Sequence, residues 1–255
     1  MMKDGTASHT ARSVAAHRLE YARVVADYGD PAADESLTAD VADGQPATPG
    51  RMHEYLRGRT DFFDRAVTDS IGAGVRQVVI GGAGYDGRAL RYARPGVRWF
   101  EVDHPATQAD KRARLARLTI DTGHIRFIPA DFTTDPIAEP LTEAGLDPAR
   151  PALFLFEGVA VYLDPDVVAR VLAEFRAVTS AGGSLAISVS TGSSPAESRA
   201  RFRELVAAQG EPARSEFSYD EARDLLAAAG WRPRDAAARP QALGLLIADA
   251  AKAAC

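Results

Sequence analysis

Short apolar runs alternate with amphipathic stretches along the middle of the chain. Runs at Gln77–Ala83, Val97–Asp103, Ile125–Asp131, Ala152–Val159 and Ser184–Ser190 have the length of strands. The fourth is almost continuously apolar, as expected of a strand covered on both faces in a parallel sheet. Helices are predicted between them at about Ala106–Leu118, at Ile137–Ala144 with Gly145 closing it, and from Pro165 to Thr179 with Asp164 in the capping position. Before the first strand, Ala11–Tyr28 has helical composition and Asp30–Gly50 reads as a surface loop or short helix. Arg51–Ile71 is helical, with Phe62, Phe63, Ala66, Val67 and Ile71 at core-facing spacing and Gly72 and Gly74 ending it. Residues 1–10 are small and polar and are expected to be disordered.

The pattern changes after the fifth strand. Pro195–Gly210 is helical and charged, an accessory piece. Ser218–Ala229 is a helix opened by Ser218 with Glu221 three residues on, the spacing of a capping box. Trp231–Ala237 and Leu243–Ala251 are two strands with no helix between them, joined by Arg239-Pro240-Gln241. An antiparallel hairpin at one sheet edge follows. The prediction is one α/β domain, a seven-stranded, mostly parallel sheet with helices on both faces and a C-terminal antiparallel hairpin. Its parts are a helical cap or lid over residues 1–72, a ligand-binding core over 75–190, the accessory segment 193–217, and the closing helix and hairpin 218–255.

One stretch, Gln77 to Asp103, carries the chemistry. Glycines at 81, 82, 84 and 87 interrupt the junction between first strand and following helix. Glycine there allows a sharp turn and lets a ligand approach main-chain N–H groups. Asp103 ends the second strand about 20 residues on, where an acid holds the hydroxyl pair of an adenosine ribose. Dinucleotides and S-adenosylmethionine both present that ribose, so the stretch alone does not separate them.

Composition narrows the class. The chain has 255 residues, 46% hydrophobic and 25% charged, an ordinary globular balance. A net charge of -5 with arginine scattered among acids gives no basic stripe for nucleic acid. The one cysteine, Cys255, excludes a disulfide framework and a cysteine metal cluster. No apolar run has the length of a membrane span, and no charged start followed by an apolar core marks a leader. A cytoplasmic enzyme without metal, nucleic-acid or membrane partner is expected; the oligomeric state is not legible.

The runs RTDFFD (Arg59–Asp64), GAGYDGR (Gly82–Arg88), FEVDHP (Phe100–Pro105), PADF (Pro129–Phe132) and FEGVAVYL (Phe156–Leu163) together resemble the leucine carboxyl methyltransferase family, in its bacterial S-adenosylmethionine-dependent branch. The resemblance covers about residues 51–190 and implies a Rossmann-like class I methyltransferase fold. By position it implies that Arg59 pairs with the cofactor's methionine carboxylate and that Gly82 and Gly84 pass under its amino-acid part. Asp103 would hold the ribose, Asp131 with the Phe132 backbone would face the adenine edge, and Glu157 would lie near the cofactor amino group. Each role suits the residue: guanidinium matches carboxylate as a fork, and an acid offsets ammonium and sulfonium charge. Gly81 and Gly87 replace bulkier residues common in the family, and the N-terminal cofactor-contacting lysine of some members has no counterpart here.

The alternatives at these positions stay open from sequence. Arg59 can form a helical pair with Asp64, Asp131 can cap the next helix, and Tyr85 and Tyr162 can be pocket walls or core aromatics. An acid at 157 inside an apolar run is costly unless paired or open to a cleft. The reaction expected is O-methylation of a small molecule or peptide, with a carboxylate acceptor preferred because it is already ionised and needs no base. A partly apolar secondary metabolite fits the composition of the cap. Tyr162 and His104 are the catalytic candidates, with His53 a further possible base. The competing readings are an NAD(P)-dependent oxidoreductase, which lacks a Tyr-x-x-x-Lys or His/Asp pair, and a non-catalytic cofactor-binding module.

Overall fold

The apolar runs become the strands of one sheet. In a computed structural model, which describes residues 9–190, 204, 207, 212–235, 240 and 243–251, seven strands lie in the order β3-β2-β1-β4-β5-β7-β6. They are β1 (Gln77–Gly81), β2 (Arg98–Asp103), β3 (Ile125–Pro129), β4 (Leu153–Phe156), β5 (Ser184–Ser188), β6 (Trp231–Pro233) and β7 (Leu245–Ala250). β1 to β5 are mutually parallel, and β7 runs antiparallel between β5 and β6.

The helices are α1 (His9–Leu19), α2 (Pro31–Ala42), α3 (Arg51–Gly72), α4 (Arg88–Arg91), α5 (Pro105–Arg117), α6 (Ala138–Glu143), α7 (Pro165–Ala177) and α8 (Tyr219–Ala228). Alternate residues of each strand feed two cores. Val79, Phe100, Val102, Phe154, Phe156, Leu185 and Ile187 face α6, α7 and α8. Val78, Ile80, Trp99, Leu153, Leu155 and Ala186 face the N-terminal helices and α5. Both faces are covered, which is why β4 shows no polar alternation in sequence.

Several expected boundaries move. The first helix stops at Leu19, and residues 22–26 have no regular structure. The stretch expected as a loop or short helix contains a 12-residue helix, α2, capped by the Asp30 carboxylate at the Ala33 amide. Leu37 and Val41 bury in it although the helix has little amphipathic pattern. Asp164 sits at the N-cap of α7 but makes no capping bond; its carboxylate takes a hydrogen bond from Arg214 at 3.0 Å. The strands are shorter than their apolar runs, so Asp131 lies beyond β3 and Glu157 just beyond β4. β6 ends at Pro233; positions 236–239 and most of the expected accessory helix Pro195–Gly210 lie outside the described residues.

The glycines at 81 and 87 have a steric reason. A Cβ at Gly81 would lie 2.8 Å from the Phe175 ring and 3.0 Å from that of Phe156. At Gly87 it would lie 1.8 Å from the Asp34 carboxylate. Both glycines make room for neighbours.

Candidate functional site

β1 diverges here: its chain goes on to β2 on one side, while β4 flanks it on the other. The crevice at the carboxyl ends of such strands is the ligand position of open α/β sheets. Gly82 and Gly84 turn the chain there with φ of 67° and 47°, a region costly for residues with a Cβ. The amides of Gly82 and Ala83 both donate to the Val102 carbonyl, at 2.8 and 3.1 Å. A Cβ at Gly82 would strike Val159 at 2.1 Å, so the turn also packs tightly on the segment after β4.

Asp103 closes the turn. Its carboxylate accepts from the Gly84 amide and, at 2.6 Å, from the His104 amide. Burial pushes its carboxyl above the usual range, and those two amides oppose the push. Asp131 lies across the neighbouring strand end and accepts from the Thr133 amide at 2.9 Å and hydroxyl at 2.7 Å, which hold its pKa down. It therefore holds a turn and does not cap the next helix, which begins at Ala138 with Ile137 in the capping position. Phe132 is buried, edge-on to Phe156 at 5.7 Å, and its carbonyl accepts from Arg170.

Glu157 is the centre of a cage. Its Oε1 accepts from Arg59 Nε at 2.9 Å and Arg18 Nη2 at 3.2 Å, and its Oε2 from Arg88 Nη1 at 2.5 Å. Burial alone would raise its pKa; Arg88, Arg18 and Arg59 more than reverse this and hold it far below the carboxylate range. Arg59 thus reaches Glu157 and not Asp64. It also lies over the Tyr55 ring at 5.5 Å and borders Gly158, whose φ is 70°.

Asp64 has other partners. It takes Arg88 Nε at 2.7 Å and a two-pronged bond from Arg23, at 2.6 and 2.9 Å. Arg23 continues to Asp34 at 3.2 Å, and Arg88 to Asp86 at 2.5 Å. Sequence reasoning assigned no role to Arg18, Arg23, Asp86 or Arg88, and offered Asp64 only as a helical partner for Arg59. One signal was available: Asp64 falls on the buried stripe of α3, between Thr60 and Val67. A charge on an apolar stripe demands a partner. The partners come from the segment after α1 and from α4, which no local pattern reveals.

The catalytic candidates separate. His104 is exposed, and its Nδ1 accepts from the Ala106 amide at 3.3 Å, capping α5. Tyr162 ends the short 3-10 turn Ala160–Tyr162, on the same connection as Glu157. The Tyr85 hydroxyl donates to Asp110 at 2.6 Å and is pinned to α5. His53 pairs with His17, the two Nδ1 atoms 3.1 Å apart.

Comparison with known proteins places this site in a family. The model described as leucine carboxyl methyltransferase matches residues 2–176. The chain belongs to that family. Similar relatives named "Putative S-adenosyl-L-methionine-dependent methyltransferase" occur in Mycobacterium avium, 34% identical over 82% of this chain and 67% of the relative, and in Mycolicibacterium smegmatis, 38% identical over 69% and 57%. A Mycolicibacterium gilvum relative is 36% identical over 57% of this chain and 48% of its own. The chain thus spans about half to two thirds of the length of these curated relatives. Among solved structures, magnesium protoporphyrin IX methyltransferase from Synechocystis, determined with bound SAH, has a TM-score of 0.53 at 10% identity, over 81% of this chain and 90% of that one. Mitomycin 7-O-methyltransferase has a TM-score of 0.51 at 20% identity, over 80% and 57%. Both bear on the fold alone: this member of the family carries a Rossmann-like sheet with its C-terminal antiparallel pair.

Proposed function

We propose that this protein binds S-adenosyl-L-methionine and transfers its methyl group to an oxygen of a small-molecule or peptide acceptor, a carboxylate before others. One observation carries the reading: the Gly82–Gly84 turn closed on Asp103, beside a Glu157 ringed by arginines, in the crevice between β1 and β4. The residues fit the cofactor's charges. The glycine turn leaves main chain accessible, and a Cβ at Gly84 would find only the Asp103 carboxylate and the Gly82 carbonyl, at 3.9 and 4.0 Å. Asp103 offers acceptor oxygens to ribose hydroxyls. Asp131 is held ionised and suits the adenine edge. Arg59 and Arg18 offer donors to a carboxylate, and Glu157 stays anionic toward an ammonium or sulfonium.

When bound, the cofactor supplies an electrophilic methyl group. The protein's part is to hold and align. Positioning alone is worth up to roughly 7–11 kcal/mol in favourable cases. A carboxylate acceptor needs no proton removed; of the candidate bases, His104 has its ring nitrogen engaged at the start of α5 and His53 is paired with His17. The family's own name supports that acceptor class, and the likeness to O-methyltransferase structures supports oxygen only through the fold. A nicotinamide oxidoreductase is disfavoured by the antiparallel β7 inserted beside β5 and by the family assignment.

Thermal unfolding with S-adenosylmethionine, S-adenosylhomocysteine, NAD and NADP in parallel tests the cofactor. Ligand at 100 times its Kd stabilises by about 2.7 kcal/mol, a shift of a few degrees. A shift with the two adenosyl compounds alone is expected; a shift with NAD alone overturns the proposal. Methyl transfer to a carboxylate-blocked acceptor as fast as to the free acid would overturn the carboxylate preference.

A further inference from the structure

The His17–His53 contact has no part in the reading above. His17, buried at 3% exposure, and Arg18 are neighbours near the end of α1. His17 Nδ1 meets His53 Nδ1 on α3 at 3.1 Å, with the rings edge-on. Arg18 reaches across to Glu157 at 3.2 Å and to Asp86 at 3.9 Å. Tyr21, just beyond α1, packs edge-on against His53 at 5.0 Å and donates its hydroxyl to the His53 carbonyl at 2.9 Å. The end of α1 is therefore fastened to α3 by the imidazole pair and to the β4 connection by Arg18.

We propose that His17 and His53 are positioning residues: their shared hydrogen bond holds Arg18 on Glu157, and the hold is released when both rings carry a proton. This rests on the cofactor reading, since Glu157 and Arg18 are placed there beside the cofactor. One Nδ1 must donate and the other accept, so the bond requires at least one ring neutral at Nδ1. The charges around it resist the second proton. Arg18 on α1 and Arg59 on α3 are cations acting on Tyr21, which packs on His53. Glu20 and Glu54 act there in the opposite sense, with Glu54 itself paired to Arg57. Arg18 and Arg59 are engaged by Glu157, and Arg18 also by Asp86. Burial first, then His53, lowers the pKa of His17, with Glu20 working the other way. For a group depressed in the closed form, closure is complete above its ordinary value of 6.5 and declines as pH falls from there toward the lowered one.

S-adenosylhomocysteine binding by calorimetry, at about pH 7.5 and about pH 5, tests this in wild type, His53→Asn and His53→Phe. An asparagine amide can donate to neutral His17 or accept from its charged form, so it keeps the contact without titrating. Wild type is expected to lose about tenfold in affinity at the lower pH, which is about 1.4 kcal/mol. His53→Asn should bind like wild type at the higher pH and stay flat. His53→Phe should bind weakly at both. If His53→Asn keeps the wild-type pH dependence, the pH dependence does not arise from this pair and the proposal falls. Wild-type affinity in His53→Phe sinks it equally. Amide-exchange protection factors of α1 in the ligand-free protein give an independent reading. Should wild type bind no S-adenosylhomocysteine at any pH, the cofactor reading fails, and loss of α1 protection on acidification still decides the latch.

Discussion

Single side chains at this site act through the bonds they accept. Asp103 is held by the Gly84 and His104 amides, so its oxygens already point toward the turn. Asp103→Ala is expected to weaken S-adenosylhomocysteine binding by about 1.5–3 kcal/mol, the worth of hydrogen bonds to a charged group. Calorimetry checks it, and unchanged affinity would remove Asp103 from the cofactor site. The same residue scale explains why His104, adjacent in sequence, is a poor catalyst: its ring nitrogen is used at the start of α5.

At the level of elements, caps and turns decide where helices begin. α8 opens with a complete capping box: Ser218 Oγ accepts from the Glu221 amide at 3.1 Å, and Glu221 accepts from the Ser218 amide at 2.6 Å. Ser218→Ala should cost about 1 kcal/mol in urea unfolding. α8 packs Leu226 and Ala222 into the core beside Trp231, whose indole N–H donates to the Leu172 carbonyl at 2.9 Å. The loss should therefore appear in global unfolding, and unfolding unchanged by the substitution would mean that α8 frays independently. α7 shows the converse. Asp164 has the right residue type and position for a cap, but its carboxylate is taken by Arg214.

Across the whole molecule, the N-terminal helices are joined to the sheet by buried charge as well as by apolar surface. Asp64 is fully buried between Arg23 and Arg88. Burial pushes its carboxyl up, and the two guanidiniums overcome that and hold it below the ordinary value of 3.8. Asp64→Ala leaves two buried cations short of an anion and should cost about 3–5 kcal/mol. Because the folded pKa is depressed, this contribution is present above about pH 4 and is lost as pH falls through the native value. Acid unfolding of wild type should therefore be steeper than that of the Asp64→Asn variant. Identical acid profiles would show that the pair adds nothing to stability.

What the sequence determined by itself is what local pattern and short spacing control. The strands of β1 to β5, the glycine turn, the acid at the tip of β2 and the capping box of α8 are all set within a few residues of themselves. Asp103 is conspicuous at short range as an acid at the tip of β2 and Glu157 as an acid inside an apolar run, whereas Arg59, on α3, and Asp131 take their expected roles from the family resemblance. Only the tertiary structure decided which charges meet. Arg59 lies five residues from Asp64 yet bonds Glu157, 98 positions away, because α3 turns that face toward the end of β4. α2 stayed undecided between loop and short helix because its burial comes from a neighbouring helix and α4, and its own pattern is barely amphipathic. The His17–His53 pair is equally non-local: α1 and α3 approach each other only once both have packed against the same side of the sheet.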